Sequence, residues 1–199
     1  MNGEQYFERS PSSTESGRTF DWDLDGRQLR VDTAGGVFSR RGLDDGTEFL
    51  IDRAPKPPSH GVALDLGCGW GALAIALASQ SPELRVWAVD VNERAVALTN
   101  QNAERNGLGN ITAVLADDVP SGVNFDVIWS NPPIRIGKRQ LHDLLENWLS
   151  RLSEHGVAWL VVSRHLGADS LTTWLSEKGW SCDRVGSRHG YRLLRVSRS

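Results

Sequence analysis

The chain has 199 residues, 39% of them apolar and 24% charged, with a formal net charge of -3; this is the size and balance of one globular domain with its own core. It contains no apolar run of about 18 residues, so no membrane-spanning helix is expected, and its first residues lack the cations and apolar stretch of a secretion signal. The mildly acidic total excludes a purely electrostatic nucleic-acid binder, and two cysteines, Cys68 and Cys182, with neither framework nor zinc spacing read as reduced thiols of a cytoplasmic protein.

Residues 1–17 are polar and rich in Ser and Glu, and read as a flexible arm. The domain proper spans 18–199, with a hairpin and lead-in over 18–58 and an α/β core over 59–199. In the hairpin, Phe20, Trp22 and Leu24 alternate before Asp25-Gly26, and Leu29 and Val31 alternate after it. Asp-Gly favours a two-residue turn because both central positions need positive φ. Residues 35–51 begin as a loop and become helical, and Pro55, Pro57 and Pro58 lead into the core. From Gly61 strands and helices alternate. The expected strands are 62–66, 85–90, 111–117, 125–130, 157–163, 180–186 and 191–197, and the expected helices 72–80, 92–107, 141–156 and 167–179. In the third of these helices Leu141, Leu144, Leu145, Trp148, Leu149 and Leu152 form one stripe at the 3.6-residue period. Most strands are continuous apolar runs, the pattern of a parallel sheet covered by helices on both faces. Trp87, Trp129 and Trp159 lie inside strands and read as core residues rather than base-stacking platforms.

Charge is unevenly spread. Residues 1–50 hold ten acids and six bases, whereas residues 184–199 hold five arginines and no acid. A second basic group, Arg135, Lys138 and Arg139, lies near the middle of the chain. Either patch can meet phosphates or form a solvated surface.

Four segments carry chemistry. Asp65-Leu66-Gly67-Cys68-Gly69-Trp70-Gly71 joins a strand to a helix, and glycines at alternate positions let the backbone turn sharply against a ligand. The spacing differs from the G-x-G-x-x-G that seats a dinucleotide pyrophosphate, which argues against a nicotinamide-dependent oxidoreductase. Asp90 ends the next strand, where a carboxylate can accept both hydroxyls of a ribose or cap the following helix. Asp117-Asp118 ends the third strand and can accept from an adenine amino group. Ser130-Asn131-Pro132-Pro133-Ile134 follows the fourth. Proline removes backbone donors and keeps the preceding residue out of the helical region. The Asn131 side-chain oxygen and the Pro132 carbonyl thus form a rigid pair of acceptors. Such a pair can hold both hydrogens of an amine conjugated to a ring or carbonyl, turn its lone pair outward, and stabilise charge developing on nitrogen. All four segments reach the carboxyl ends of successive strands, the edge where open α/β sheets bind ligands.

With these residues in place, the chain resembles class I S-adenosylmethionine-dependent methyltransferases of the small-domain family, which includes bacterial guanine-N2 methyltransferases of 16S ribosomal RNA. The likeness extends to Gly36-Val37-Phe38-Ser39-Arg40, Gly42-Leu43-Asp44 and Asp45-Gly46-Thr47 ahead of the glycine loop. It extends also to Asn131-Pro132-Pro133-Ile134-Arg135 with Gly137-Lys138, and to Gly190-Tyr191-Arg192 near the end. It implies a Rossmann-like, mostly parallel seven-stranded sheet preceded by a small β-hairpin. It also implies S-adenosylmethionine held by Asp65, Gly67, Cys68, Gly69, Gly71, Asp90, Val91, Asp117, Asp118 and Asn131, with Asn131, Pro132 and Pro133 holding the target amine. Phe38, Ile134, Arg135, Lys138 and Arg139 are assigned to substrate; Ile134 stands where many relatives carry an aromatic residue.

The expected reaction is direct in-line methyl transfer to an exocyclic nitrogen without a covalent intermediate, a general base or a metal. The expected substrate is ribosomal RNA or the small ribosomal subunit, met by a monomer away from any membrane. Adenine N6 and a protein glutamine pose the same electronic problem and remain alternatives. A silent RNA-binding module is a further one, against which both intact motifs argue.

Overall fold

The computed structural model describes residues 17–35, 37, 42–133 and 136–199. All of the expected arm over 1–17 except Gly17 therefore lies outside the described residues, as do Phe38, Ile134 and Arg135. Strands β1 (Arg18–Leu24) and β2 (Arg27–Thr33) form a separate antiparallel hairpin. Its turn residues Asp25 and Gly26 have φ of 53° and 83°, the pair of positive values that a tight Asp-Gly turn requires.

Helix α1 (Asp45–Arg53) follows, and then the core: β3 (His60–Leu66), α2 (Ala72–Gln80), β4 (Glu83–Asp90), α3 (Glu93–Arg105), β5 (Ile111–Leu115), β6 (Phe125–Ser130), α4 (Lys138–Leu149), β7 (Leu152–Ser163), α5 (Ala168–Glu177), β8 (Trp180–Arg188) and β9 (Tyr191–Arg198). The seven strands run β5-β4-β3-β6-β7-β9-β8. Only β9 is antiparallel to its neighbours, so the Rossmann-like, mostly parallel sheet is as expected. The chain winds outward from β3 through β4 to β5, then returns to lay β6 against the other side of β3. That reversal opens a crevice at the carboxyl ends of β3 and β6, the usual ligand position in such sheets.

Two apolar layers cover the sheet. Phe49, Leu50, most of α2, and Ala95 and Leu98 of α3 pack on one face with Trp129, while Leu141, Leu145, Trp148, Leu171 and Leu175 pack on the other with Phe125 and Ile128. Trp129 and Trp159 are buried and Trp87 is half-buried, as core tryptophans should be. Among the described residues no helix is long and apolar enough to cross a membrane.

The helix expected over 141–156 is corrected at both ends. It begins at Lys138 and stops at Leu149, and residues 152–156 belong to the long strand β7. Leu152 prolongs the helical stripe by coincidence of spacing, but its backbone pairs with Phe125 of β6. Arg151 breaks the helix outward: its guanidinium donates to the carbonyls of Val123 and Pro120 and lies over the Phe125 and Trp148 rings. The third core strand is also shorter than expected. It ends at Leu115, and Ala116–Asp118 form a 3-10 turn that carries both aspartates past the sheet edge.

Candidate active site

The glycine loop joins β3 to α2 on three left-handed residues, Gly67, Gly69 and Gly71, with φ of 80°, 58° and 94°. The N–H groups of Gly67 and Cys68 both donate to the Val89 carbonyl, at 2.9 and 3.0 Å, tying the loop to the end of β4. Thr99, buried on α3, supports it from behind by donating to the Gly69 carbonyl at 3.2 Å. A Cβ at Gly71 would lie 2.8 Å from the Thr99 methyl, so both the dihedral and the space demand glycine there.

Asp65 is fully buried. Its Oδ2 accepts from the Ala74 N–H at 2.9 Å, while Oδ1 has no partner. Burial pushes its carboxyl up to about 8 against the Ala74 hydrogen bond, and the nearby Asp90 adds to the rise. Asp90 accepts from Gly69 N–H through Oδ2 and from Asn92 N–H through Oδ1, both at 3.0 Å. Burial raises its carboxyl too, against these bonds and one from Val91. The cap of α3 is Asn92, which accepts from Arg94 N–H at 2.9 Å. Asp90 is thus bonded to the loop rather than spent on the helix, and each of its oxygens keeps a lone pair for a diol. Asp117 and Asp118 are exposed beyond β5. Cys68 is buried, and its thiol is pushed up first by burial and then by the charges of Asp90 and Asp65, which keeps it protonated and unreactive.

Across the crevice, Ser130 ends β6 fully buried and donates to the Leu66 carbonyl at 2.7 Å. That bond roots the Asn-Pro-Pro loop on the strand that bears the glycine loop. Asn131 then uses both amide hydrogens: Nδ2 donates to Asp44 Oδ1 and to Thr47 Oγ1, each at 3.0 Å. With its nitrogen committed, the side chain presents its oxygen as the remaining polar atom. Asp44 is the N-cap of α1, and the same Oδ1 accepts from Gly46 and Thr47 N–H at 3.1 and 3.3 Å. Tyr191 packs so closely over Gly46 that a Cβ there would meet its ring at 2.8 Å. The last strand therefore buttresses the helix end that holds Asn131. Asp44, Thr47, Asp65, Gly67, Gly69 and Asn131 share the lining of one cavity, so the two motifs and the α1 cap meet in space.

Asp44 and Thr47 stand out in the sequence only through the family resemblance, and nothing in the sequence marks Thr99 or Ser130 as supports of the two loops. The available signal for Asp44 was a capping aspartate before an apolar helix. Nothing in the sequence shows that its free lone pair would reach a loop 87 positions away.

The basic patches separate. Lys138 and Arg139 are exposed at the start of α4, directly after the loop. Four of the five C-terminal arginines are occupied internally. Arg188 pairs with Asp52 at 2.7 Å, Arg192 with Asp169, and Arg195 with Asp183 at 3.8 Å. Arg198 donates to the Ser150 and Leu152 carbonyls and covers the Trp180 ring.

The hairpin docks beside the glycine loop. Phe20 and Trp22 both meet buried Trp70 edge-on, with ring centroids 5.7 Å apart. Asn102 on α3 and Asn106, the residue that caps its C-terminal end, bond the backbone of β2. Asn102 pairs with the N–H and carbonyl of Asp32 at 2.8 and 2.9 Å, and Asn106 with those of Arg30 at 2.9 Å. The open strand edge is thereby closed by side-chain amides.

A family model described as methyltransferase small domain matches residues 28–195. The Bacillus subtilis protein YbxB, itself called uncharacterized, is 34% identical over 198 residues, covering 98% of each chain. Ribosomal RNA small subunit methyltransferase C of Klebsiella pneumoniae is 45% identical over 111 residues, which are 55% of this chain and 32% of that enzyme. The match thus covers about a third of that relative. Among solved structures, the T. thermophilus 16S rRNA N2-guanine methyltransferase RsmC, with AdoMet and guanosine bound, superposes with a TM-score of 0.77 at 24% identity. The superposition covers 95% of this chain and 52% of that one, a likeness of fold.

Proposed function

The chain belongs to the methyltransferase small-domain family of S-adenosylmethionine-dependent enzymes, and on that premise we propose that it methylates the exocyclic N2 of a guanine in small-subunit ribosomal RNA. The observation that carries this reading is the amide of Asn131, whose two hydrogens are given to Asp44 and Thr47, leaving its oxygen to accept from an amine. The ribosomal target is supported by the named activity of the Klebsiella relative and by two exposed cations, Lys138 and Arg139, just beyond the loop.

The residues present fit the donor. The left-handed glycines bring backbone close to a ligand, and two buried carboxylate oxygens, Asp65 Oδ1 and Asp44 Oδ2, lack partners in a cavity that both residues line. An orphaned buried acceptor is costly unless a ligand supplies the donor. Gly67, Gly69 and Gly71 would hold the donor, with Asp90 on its ribose and Asp117 or Asp118 near its adenine. When bound, the donor supplies an electrophilic methyl group on a cationic sulfur.

The chain's own residues act on the acceptor. The Asn131 oxygen and the Pro132 carbonyl accept the two N–H bonds of the target amine. This draws its lone pair out of conjugation and points it at the methyl carbon. Were the donor's methyl group to pass to this nitrogen, its carbon–sulfur bond breaking as the carbon–nitrogen bond forms, the positive charge would appear on nitrogen beside these two acceptors. Fixed dipoles stabilise that charge without reorganising. The cationic nitrogen then loses a proton to water. Cys68, protonated and buried, takes no part.

Labelled methyl transfer to small subunits, free ribosomal RNA, tRNA and release factor, followed by nucleoside analysis, tests the proposal. N2-methylguanosine in the ribosomal samples is expected. N6-methyladenosine would replace the target base, and label in protein alone would replace the substrate class.

A further inference from the structure

We infer that Asp44 is a positioning residue that couples the methyl donor to Asn131 through the two oxygens of one carboxylate. Its Oδ1 is saturated, taking Asn131 Nδ2 at 3.0 Å and two N–H groups of α1. Its Oδ2 is buried and has no partner. Asp65 Oδ1 is a second, independent orphan, on a side chain with no exposure at all, and Asp44 and Asp65 line the same cavity. Two unpaired carboxylate oxygens at one cavity select a cationic group rich in N–H donors. The donor of the proposed reaction offers such a group in the ammonium of its amino-acid arm. Seating that ammonium against Asp44 Oδ2 immobilises the carboxylate, and the same carboxylate fixes the amide that receives the target amine. Donor binding thereby sets the acceptor site. Thr47 Oγ1 completes the arrangement by taking the second Asn131 hydrogen at 3.0 Å.

The inference rests on the proposed use of S-adenosylmethionine, and binding tests it without turnover. S-adenosylhomocysteine carries the amino-acid arm, whereas 5′-methylthioadenosine lacks it. Asparagine caps a helix as well as aspartate does, so Asp44→Asn keeps the start of α1 while removing the charge. In calorimetric titration this variant should bind S-adenosylhomocysteine about 10- to 100-fold more weakly, the range of one charge-assisted hydrogen bond, and 5′-methylthioadenosine as wild type does. Thr47→Val should lower kcat about tenfold, the effect of one lost polar contact, at unchanged affinity for both ligands, with Thr47→Ser restoring the rate. Equal losses for the two ligands in Asp44→Asn, or none for S-adenosylhomocysteine, would overturn the coupling, as would a wild-type kcat in Thr47→Val. A wild-type protein that binds S-adenosylhomocysteine but labels no RNA would count against base methylation, and the ligand contrast would still decide the role of Asp44.

Discussion

Asp65→Asn isolates the cost of a buried carboxylate held ready for a cation. A carboxyl in an unfolded chain titrates near 3.9, and in the folded protein burial pushes that of Asp65 up to about 8. Between these values the native state holds a proton that the unfolded state has released, so stability falls as pH rises through the window and levels off above it. At about 1.4 kcal/mol per unit, the penalty grows by roughly 4 kcal/mol between pH 5 and pH 9. Asparagine never ionises, and its oxygen can keep the Ala74 hydrogen bond that Asp65 Oδ2 makes at 2.9 Å. Relative to wild type, donor-free Asp65→Asn should therefore gain about 4 kcal/mol from pH 5 to pH 9, or roughly 8–16 °C in Tm for a domain of this size. Thermal and urea unfolding at both pH values read the difference. A gap between the two proteins that stays constant with pH would refute the reasoning. Donor binding reads the same group from the other side: a cationic ligand prefers ionised Asp65, so wild-type affinity for S-adenosylhomocysteine should rise from pH 6 to 8 and the variant's rise should be smaller.

Three further outcomes are expected. Asn131→Ala should retain S-adenosylhomocysteine affinity in calorimetry but lose about 10²–10³ in kcat, the usual effect of deleting one preorganised polar contact; unchanged turnover would remove Asn131 from the mechanism. Gly71→Ala meets both a φ of 94° and the Thr99 methyl at 2.8 Å, so it should lower stability by about 1–3 kcal/mol and weaken donor binding, measured by urea unfolding and titration. Lys138→Gln and Arg139→Gln should weaken RNA binding and flatten the plot of log affinity against log salt by roughly 0.7–0.9 per lost phosphate contact. Arg184→Gln, on the far edge strand β8, should leave that slope as it was.

Local rules made most of the fold legible. The Asp25-Gly26 turn, the apolar strand runs and the glycine loop each depend on neighbours in sequence, and each is where the residues implied. The same local reasoning misread residues 150–156. There a helical stripe runs into Leu152, and only pairing with Phe125 makes it a strand; such non-local pairing overrides spacing. The acceptor at Asn131 was legible because two prolines restrict it, but its orientation was not. That orientation comes from Asp44 and Thr47, far away in the chain, and shows only once α1 is laid beside the end of β6. The C-terminal arginines illustrate the converse. Five in sixteen residues look like a phosphate patch until the acidic and carbonyl partners of four of them are brought in from α1, α5, β8 and the α4–β7 junction.

The placement of charge suits one crevice to the two reactants proposed for it, which carry opposite signs. Four acids lie on one side of the switch point, Asp65 and Asp90 at the ends of β3 and β4 and Asp117 and Asp118 beyond β5, while Asp44, at the cap of α1, faces Asn131 after β6. The cations past the other side are Lys138 and Arg139 after β6, and exposed Arg164 directly after β7. The proposed cationic donor would be drawn to the first group and the proposed polyanionic acceptor to the second, each attracted to a part of the edge that repels the other. Asn131 stands between them at the end of β6, the strand that lies against β3. A net charge of -3 is therefore no obstacle to the proposed RNA substrate, because the acids that produce it include those proposed to hold the donor.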